Sequence, residues 1–165
     1  MSGLEIREMR ESDAEAVAAL DDRCFQVSWG IALFQSELIS PVSVALVALR
    51  DRRIVGYLCS TLVMDEAHIG TLGVEPELQG LGIGGELMAA FLKNAAMLGC
   101  RRVTLEVRAS NLSAQRLYRR LGFSPISIRR RYYTDNDEDA VVMWIEDLRD
   151  RAAQTTSKST PGADV

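Results

Sequence analysis

The chain has 165 residues, of which 47% are hydrophobic and 25% are charged, and this composition predicts one globular domain with a single buried core. Its formal net charge of −4 at pH 7 argues against a general nucleic-acid binder, because such proteins usually carry a basic face. The first residues contain neither a secretory signal nor a lipidation motif, and no apolar run is long enough for a membrane span. We therefore expect a cytoplasmic protein without a membrane anchor.

The first half of the chain predicts a strand, two helices and three strands. Residues 4–9 read as the first strand, and Ser12-Asp13-Ala14-Glu15 forms a capping box that opens an amphipathic helix. A second helix is expected over Ile31–Ile39, before Pro41. Two strand patterns, 44–49 and 54–63, flank a short polar turn and predict a hairpin, and 67–74 follows as another strand.

The second half predicts alternating helices and strands. Apolar residues recur near every fourth position over 82–98, so this segment is expected to be a helix that ends at Gly99. The strand 103–107 comes next, and the intervening helix makes it a parallel neighbour of 67–74. Asn111 or Ser113 can cap a helix that runs to Leu121. Strands 125–131 and 140–145 then complete the sheet.

A glycine-rich loop lies between the strand 67–74 and the helix that follows it. Its residues are Gln79, Gly80, Leu81, Gly82, Ile83, Gly84 and Gly85. The first amides of a helix have no intrahelical acceptor and carry the positive end of the helix dipole, and glycines let the backbone approach an anion closely. The loop therefore favours a pyrophosphate, and an acyl-nucleotide carrier is the leading ligand.

The same glycines also fit a dinucleotide-binding pattern. Gly80, Gly82 and Gly85 read as Gly-x-Gly-x-x-Gly, with Glu106 twenty-one positions beyond the last of them. A dinucleotide fold places the first glycine almost directly after the strand, whereas residues 75–79 intervene here. No lysine follows the loop as it does in nucleoside-triphosphate sites. We therefore rank an acyl carrier above a nicotinamide cofactor, and a nucleoside triphosphate last.

The cysteines and the single histidine do not form a metal-binding pattern. Cys24, Cys59 and Cys100 are widely spaced, which predicts free buried thiols and a reducing compartment. His68 is interpreted as a structural residue, because one histidine without clustered carboxylates or thiols makes a poor metal site. No metal is expected.

Two polar side chains are candidates for proton transfer. Alternation along the strand 103–107 turns Glu106 and Arg108 to one face, so Glu106 could accept a proton or could form an exposed ion pair with Arg108. Tyr118 lies seven residues after Asn111, about two helical turns away on the same stripe, so both can face one elongated ligand. A tyrosine stays protonated at neutral pH and suits a general acid, although buried tyrosines are more often core residues.

The glycine loop and the order of elements resemble the GNAT N-acetyltransferase superfamily. The resemblance extends from Leu4 to Glu146, which is nearly the whole folded part of the chain. It implies an α/β (α+β) fold with a mixed central sheet of about seven strands and four flanking helices. It also implies that the two parallel strands splay apart at a bulge, that the pantetheine arm of acetyl-coenzyme A pairs with Leu72, Gly73 and Val74, and that the loop 80–85 cradles its phosphates.

Further motifs are similar to the RimI-like ribosomal-protein-alanine N-acetyltransferases. They comprise the run 105–111, then Ala114, Leu117, Tyr118, Gly122 and Phe123, and later the segments 130–133 and 138–143. The resemblance implies that Glu106 is the base, that Tyr118 is the acid and that Asn111 contacts the cofactor. The region around Trp29 and the segment with Tyr132 and Tyr133 would border the acceptor.

The chain also departs from that pattern. Relatives often carry basic side chains where this loop has Gly80 and Gly85, so phosphate binding must rely more on backbone amides. The segment 25–31 resembles the acceptor-site region of the family only through Trp29. The run 129–131 of three arginines is interpreted as a solvated basic edge.

The resemblance as a whole implies direct transfer of acetyl from acetyl-coenzyme A to the N-terminal alanine of a ribosomal protein, small-subunit ribosomal protein eighteen. Two alternatives remain: an acetyltransferase for protein lysine or a small amine, and a non-catalytic acyl-coenzyme A sensor. We expect one acetyltransferase domain over residues 1–150 and a disordered tail over 151–165, because the tail lacks apolar periodicity. A monomer or a weak dimer is expected.

Overall fold

A computed structural model describes residues 3–148 of the chain, so the predicted tail 151–165 lies outside the described residues. The strands are β1 (Leu4–Glu8), β2 (Ser43–Arg50), β3 (Arg53–Val63), β4 (Glu66–Val74), β5 (Arg102–Arg108), β6 (Ser124–Tyr133) and β7 (Glu138–Ile145), and the helices are α1 (Ala14–Cys24), α2 (Ile31–Ile39), α3 (Ile83–Met97) and α4 (Leu112–Arg120). This element order confirms the predicted GNAT fold.

The seven strands form one mixed sheet in the order β1-β2-β3-β4-β5-β7-β6. Neighbouring strands are antiparallel except for β4 and β5, which are parallel because α3 connects them across one face of the sheet. The predicted hairpin is confirmed: β2 and β3 are joined by Asp51 and Arg52, both of which have positive φ angles, as a tight two-residue turn requires.

The sheet is covered on both faces. Beneath α3, residues such as Leu87 and Phe91 pack with the central strands, and part of α4 joins the same cluster. On the opposite face, Leu20 of α1 and Phe34 of α2 pack on β2 and β3. Burial of such side chains stabilises the fold by about 1.5–3 kcal/mol each. Helices of the described residues 3–148 are all too short or too polar to cross a membrane.

One local prediction is wrong. Ser12 does not cap α1, because residues Glu11–Asp13 form a short 3₁₀ helix before it. The carboxylate of Asp13 instead accepts hydrogen bonds from the amide of Arg10 at 2.7 Å and from the guanidinium of Arg7 at 2.7 and 3.0 Å. Asp13 therefore links Arg7 of β1 to the start of the helix. The capping-box spacing did not predict this contact.

Candidate active site

A cleft opens where β4 and β5 separate. The two strands pair only over Glu66–Arg102, Ala67–Val103 and His68–Thr104. Just beyond, the register between β3 and β4 shifts, so that Gly70 is an extra residue that forms a bulge. The remaining residues of β4 and β5 diverge, which confirms the predicted splay. A cavity of about 680 Å³ lies at this fork.

The cavity brings together side chains that are far apart in the sequence. It is lined by β4 and β5, by the loop between α1 and α2, by α4 and by the turn between β6 and β7. Of the predicted site residues, those that line it are Trp29, Leu72, Glu106, Asn111, Tyr118, Tyr132 and Tyr133. The glycine loop does not line this cavity but lies beside it, at the N-terminus of α3.

The glycine loop presents unbonded amides. Gly82 precedes α3 with a φ of 90°, a left-handed conformation that favours glycine. The first amide of the helix with a backbone acceptor is that of Glu86, which donates to the carbonyl of Gly82 at 3.0 Å. Within residues 3–148, the amides of Ile83, Gly84 and Gly85 have no backbone acceptor. The helix start therefore offers several donors to an anion.

Two residues of the loop also have structural tasks. The side chain of Ile83 is 1% exposed and belongs to the core, so only its backbone faces the loop. A Cβ atom on Gly85 would lie 3.4 Å from Leu117 of α4, so the start of α3 packs closely against α4. Leu81, in contrast, is 51% exposed.

The end of β4 is bonded to β3 on one side and free of β5 on the other. Leu72, Gly73 and Val74 pair with β3, and β5 has already diverged. The carbonyl of Val74 accepts hydrogen bonds from the side-chain amide of Gln79 at 3.1 Å and from the thiol of Cys24 at 3.2 Å. The side chain of Gln79 thus turns back to the strand and fixes the start of the glycine loop.

Glu106 is a nearly buried acid of the cavity. Its side chain is 11% exposed, and its Oε2 lies 2.6 Å from Nε2 of His68 on β4. Its Oε1 lies 4.0 Å from a guanidinium nitrogen of Arg129 on β6. The hydrogen bond to His68 lowers the pKa of Glu106 below its usual value, although burial opposes this effect. Glu106 is therefore ionised at neutral pH and can accept a proton.

Neither partner of Glu106 is among the predicted site residues. His68 is more than a structural residue, because it contacts Glu106. The arginines at 129–131 are exposed on the edge strand β6, as predicted, and Arg129 also lies 4.0 Å from Glu106 because β6 comes close to β5 there. The proposed alternative partner, Arg108, instead bonds to Asp135 at 2.8 Å and to Glu138 at 3.3 Å. These contacts depend on which residues of distant strands stand opposite each other in the sheet. The spacing of residues within one segment does not reveal that register.

Arg108 organises the turn between β6 and β7. Besides its ion pairs with that turn, its guanidinium lies 4.0 Å from the ring centre of Tyr133. Burial raises the pKa of Tyr133 to about 12. Tyr132 packs edge-on against Tyr133 at 5.1 Å between ring centres. The turn is thus held against the end of β5, with both tyrosines at the cavity.

Tyr118 and Asn111 lie on or beside α4, as predicted. Asn111 caps the helix, and its side chain accepts a hydrogen bond from the amide of Ala114 at 3.1 Å. The ring of Tyr118 packs 5.8 Å from that of Phe123 and joins the core cluster. Burial raises the pKa of Tyr118 to about 12, so its hydroxyl stays protonated and can only donate a proton at neutral pH.

Trp29 is anchored by a buried acid that sequence analysis did not single out. Asp21 is 1% exposed. Its carboxylate accepts one hydrogen bond from the backbone amide of Trp29 at 2.7 Å and another from the hydroxyl of Tyr57. The indole ring packs 5.2 Å from Phe34. The loop after α1 is therefore fixed at the mouth of the cavity.

Cys24, Cys59 and Cys100 are not joined in disulfides. Cys59 and Cys100 are buried as predicted, and Cys24 is half-buried at the cavity. Burial raises the pKa of Cys24 to about 11, so it is a thiol and not a nucleophilic thiolate at neutral pH. Among residues 3–148, no three His, Cys, Asp or Glu side chains are grouped as a metal site would need.

A family model and individual relatives match this chain. Residues 14–123 match the acetyltransferase (GNAT) family. A Bacillus subtilis protein provisionally named as a ribosomal protein bS18 alanine N-acetyltransferase is 37% identical over 141 residues, which cover 85% of this chain and 93% of that protein. The Escherichia coli enzyme of that name is 36% identical over 96 residues, or 57% of this chain and 65% of the enzyme.

A solved structure agrees with these sequence matches. The crystal structure of the ribosomal-protein alanine N-acetyltransferase from Escherichia coli superposes with a TM-score of 0.82 at 29% identity. The superposition covers 87% of this chain and 94% of the crystallised chain. The likeness therefore extends over nearly all of the described residues.

Proposed function

This chain belongs to the acetyltransferase (GNAT) family, and from that premise we propose that it transfers acetyl from acetyl-coenzyme A to an N-terminal alanine of a ribosomal protein in the cytoplasm. The acceptor that we propose is bS18, the small-subunit ribosomal protein eighteen. The observation that carries this proposal is the 37% identity to the Bacillus subtilis relative, because it extends over 85% of this chain.

The glycine loop fits the phosphates of coenzyme A. Its donors are the amides of Ile83, Gly84 and Gly85, and positions Gly80 and Gly82 have open space where a side chain would otherwise stand. The loop adds no positively charged side chain to these amide donors, because glycine stands at positions 80 and 85. We propose that backbone amides and the dipole of α3 hold the pyrophosphate.

The fork between β4 and β5 fits the pantetheine arm. Within residues 3–148, no strand pairs with Leu72, Gly73 and Val74 on their β5 side, so an extended arm could bond there as a strand would. The carbonyl of Val74 is already bonded to Cys24 and Gln79, which leaves the backbone before it as the preferred contact. When bound, acetyl-coenzyme A supplies the acetyl group as an activated thioester.

We assign the role of base to Glu106. It is ionised, partly buried and at the cavity, so it can remove a proton from the attacking amine. An α-amine has a pKa of about 7.7–8.0, against about 10.4 for lysine, so more of it is already unprotonated at neutral pH. A carboxylate of lowered pKa is a weak base, and it therefore suits an N-terminal acceptor better than a lysine.

We assign the role of acid to Tyr118. Its hydroxyl is protonated and lines the same cavity as Glu106, so it can give a proton to the sulfur that leaves. No serine or cysteine of the cavity is paired with a base, and the raised pKa of Cys24 keeps that thiol neutral. Direct transfer is therefore proposed over an acetyl-enzyme.

The acceptor would enter between the Trp29 loop and the β6–β7 turn. Both are held in place, the loop by Asp21 and the turn by Arg108, so neither must become ordered when a chain end enters. Trp29, Tyr132 and Tyr133 provide rigid aromatic surfaces around it. We propose that they select an extended chain end over a free small amine.

The test is a comparison of acceptors by mass spectrometry. The acceptors are a peptide with a free N-terminal alanine and an internal lysine, the same peptide acetylated at its N-terminus, and spermidine. We expect fast acetylation of the alanine alone. Faster reaction at the lysine of the blocked peptide would overturn the N-terminal assignment. Acetyl-coenzyme A binding without any product would favour the sensor, and micromolar binding of NAD without acetyl-coenzyme A would favour a dinucleotide site.

A further inference from the structure

One contact of the cavity has no role in the mechanism so far. His68 and Glu106 are 38 positions apart, yet Nε2 of the imidazole lies 2.6 Å from Oε2 of the carboxylate. His68 pairs with Thr104 in the last paired position before β4 and β5 diverge, and Glu106 stands two residues further along β5. The contact therefore crosses the fork at the point where the cleft begins.

The hydrogen bond fixes which oxygen of Glu106 is free. A short contact between imidazole nitrogen and carboxylate oxygen requires a proton between them, and a neutral or charged imidazole supplies it from Nε2. Oε2 is then engaged as an acceptor. Oε1 lies 4.0 Å from a guanidinium nitrogen of Arg129, which is too far for a hydrogen bond, so that arginine does not occupy it.

The groups around this contact determine the pKa of Glu106, and His68 has the largest effect among them. The hydrogen bond from His68 is the largest cause of the lowered pKa of Glu106, and burial acts in the opposite direction. On its other side, His68 borders a second cavity with Asp65 and Glu66. Glu66 is bonded to Arg102 at 3.0 Å, and Arg129 and the titratable Tyr133 also lie near Glu106. Thr61 and Thr104, which flank His68 on the neighbouring strands, are uncharged.

We propose that His68 is a positioning residue for the base: its imidazole holds Oε2 of Glu106 and so turns Oε1 toward the acceptor amine. This inference rests on the proposed role of Glu106. The imidazole acts through the carboxylate and does not touch the acceptor. Orientation of a reacting group by a neighbour of this kind is worth roughly tenfold to a hundredfold in rate.

The principal test compares His68→Leu with His68→Gln. Leucine removes the hydrogen bond, so we expect turnover to fall roughly tenfold or more while affinity for acetyl-coenzyme A is retained. The pKa of Glu106 would rise toward its usual value, so the acid limb of the pH–rate profile should move to higher pH. Glutamine can donate from its side-chain nitrogen and should restore most of the turnover. Wild-type turnover and pH profile in His68→Leu would overturn the proposal.

A double variant shows whether His68 acts through Glu106. The loss in His68→Leu with Glu106→Gln should be no larger than in Glu106→Gln alone, because the residue being positioned is already gone. Independent, additive losses would overturn the proposal. Glu66→Gln is the control for charge in the second cavity, and it should leave the pH profile unchanged. If Glu106→Gln itself has wild-type turnover, the role of Glu106 in the proposed function fails and this inference fails with it.

A spectroscopic test does not depend on the folding of the His68 variants. His68 is the single histidine of the sequence, so an untagged, ¹⁵N-labelled protein gives one pair of imidazole nitrogen resonances. We expect Glu106→Gln to shift the Nε2 resonance much more than the Nδ1 resonance, because only Nε2 faces the carboxylate. Unchanged imidazole resonances would overturn the contact on which the proposal depends.

Discussion

The indole ring of Trp29 lies over the backbone of Gly70, where two ring carbons come within 3.1 Å of the position that a Cβ atom would occupy. Gly70 is the bulged residue of β4, so the bulge that opens the cleft also makes room for the aromatic residue at its mouth. The cleft and its aromatic wall are thus built by one local feature.

The first prediction concerns Gly70→Ala. The added methyl group must displace the Trp29 ring by a few tenths of an ångström, and that ring already packs 5.2 Å from Phe34. We expect the KM for an N-terminal-alanine peptide to rise by up to roughly tenfold, with the affinity for acetyl-coenzyme A unchanged. Steady-state kinetics and calorimetry measure the two quantities.

A control on the same strand separates this effect from general damage to β4. Ala67→Gly alters a buried core position of β4 that does not line the cavity, and it should destabilise the fold by about 0.5–1 kcal/mol without changing the KM. An equal rise in KM in both variants would contradict a specific role for the contact between Gly70 and Trp29.

Local patterns predicted the elements, and tertiary pairings account for what they missed. The turn at residues 51–52 and the helix after Gly82 were predictable because their signals lie within a few neighbouring residues. The bond from His68 to Glu106 was not, since it depends on the register of two strands separated by a helix. Asp21 was missed for a related reason: an acid in a helix normally predicts exposure, yet this one is buried by its two hydrogen bonds.

The second prediction concerns the ion pair that links α1 to the residue after β4. Glu75 has a nearly buried side chain and accepts two hydrogen bonds from Arg23. Arg23→Gln leaves that carboxylate with only the longer contact to Arg53 at 3.4 Å. Because Arg23 is itself partly exposed, we expect a loss of only about 1–2 kcal/mol in the free energy of unfolding. Urea denaturation at neutral pH measures it.

The pH dependence of this effect has a definite sign. Arg23 lowers the pKa of Glu75, so the stabilisation is present above the usual pKa of a glutamate and is lost as the pH falls through the lowered value. The difference between wild type and Arg23→Gln should therefore shrink in acid. Arg53→Gln, which removes the more exposed and more distant partner, should cost less. A difference that stays constant down to pH 2 would contradict the pairing.

The third prediction compares two glycines of the loop. At Gly82, φ is 90°, so Gly82→Ala must strain or rearrange the backbone at a cost of about 1–2 kcal/mol. At Gly84, a Cβ atom would lie 3.6 Å from Val74 and 3.8 Å from Leu117, which are ordinary contacts. We expect Gly82→Ala to weaken acetyl-coenzyme A binding roughly tenfold, and Gly84→Ala to weaken it much less. Calorimetry measures both affinities for acetyl-coenzyme A. A larger loss in Gly84→Ala than in Gly82→Ala would contradict the proposed cradle.

The last prediction concerns Tyr118→Phe. Removal of the hydroxyl takes away the proposed proton donor but keeps the ring that packs on Phe123, so the fold should be little affected. We expect turnover to fall roughly a hundredfold or more, because the hydroxyl matters mainly when charge develops on the leaving sulfur. The Kd for acetyl-coenzyme A should change by much less. Single-turnover kinetics and calorimetry separate the two effects.

The pH profile tests the same assignment in the unaltered protein. Burial raises the pKa of Tyr118 to about 12, so the donor stays protonated through neutral and moderately alkaline pH. Wild-type turnover should therefore show no loss from Tyr118 below about pH 10. Phe123→Leu serves as the control for packing around the ring, and it should lower stability more than turnover. If Tyr118→Phe keeps wild-type turnover, another group or water delivers the proton, and Tyr118 has only the packing role that its contact with Phe123 already gives it.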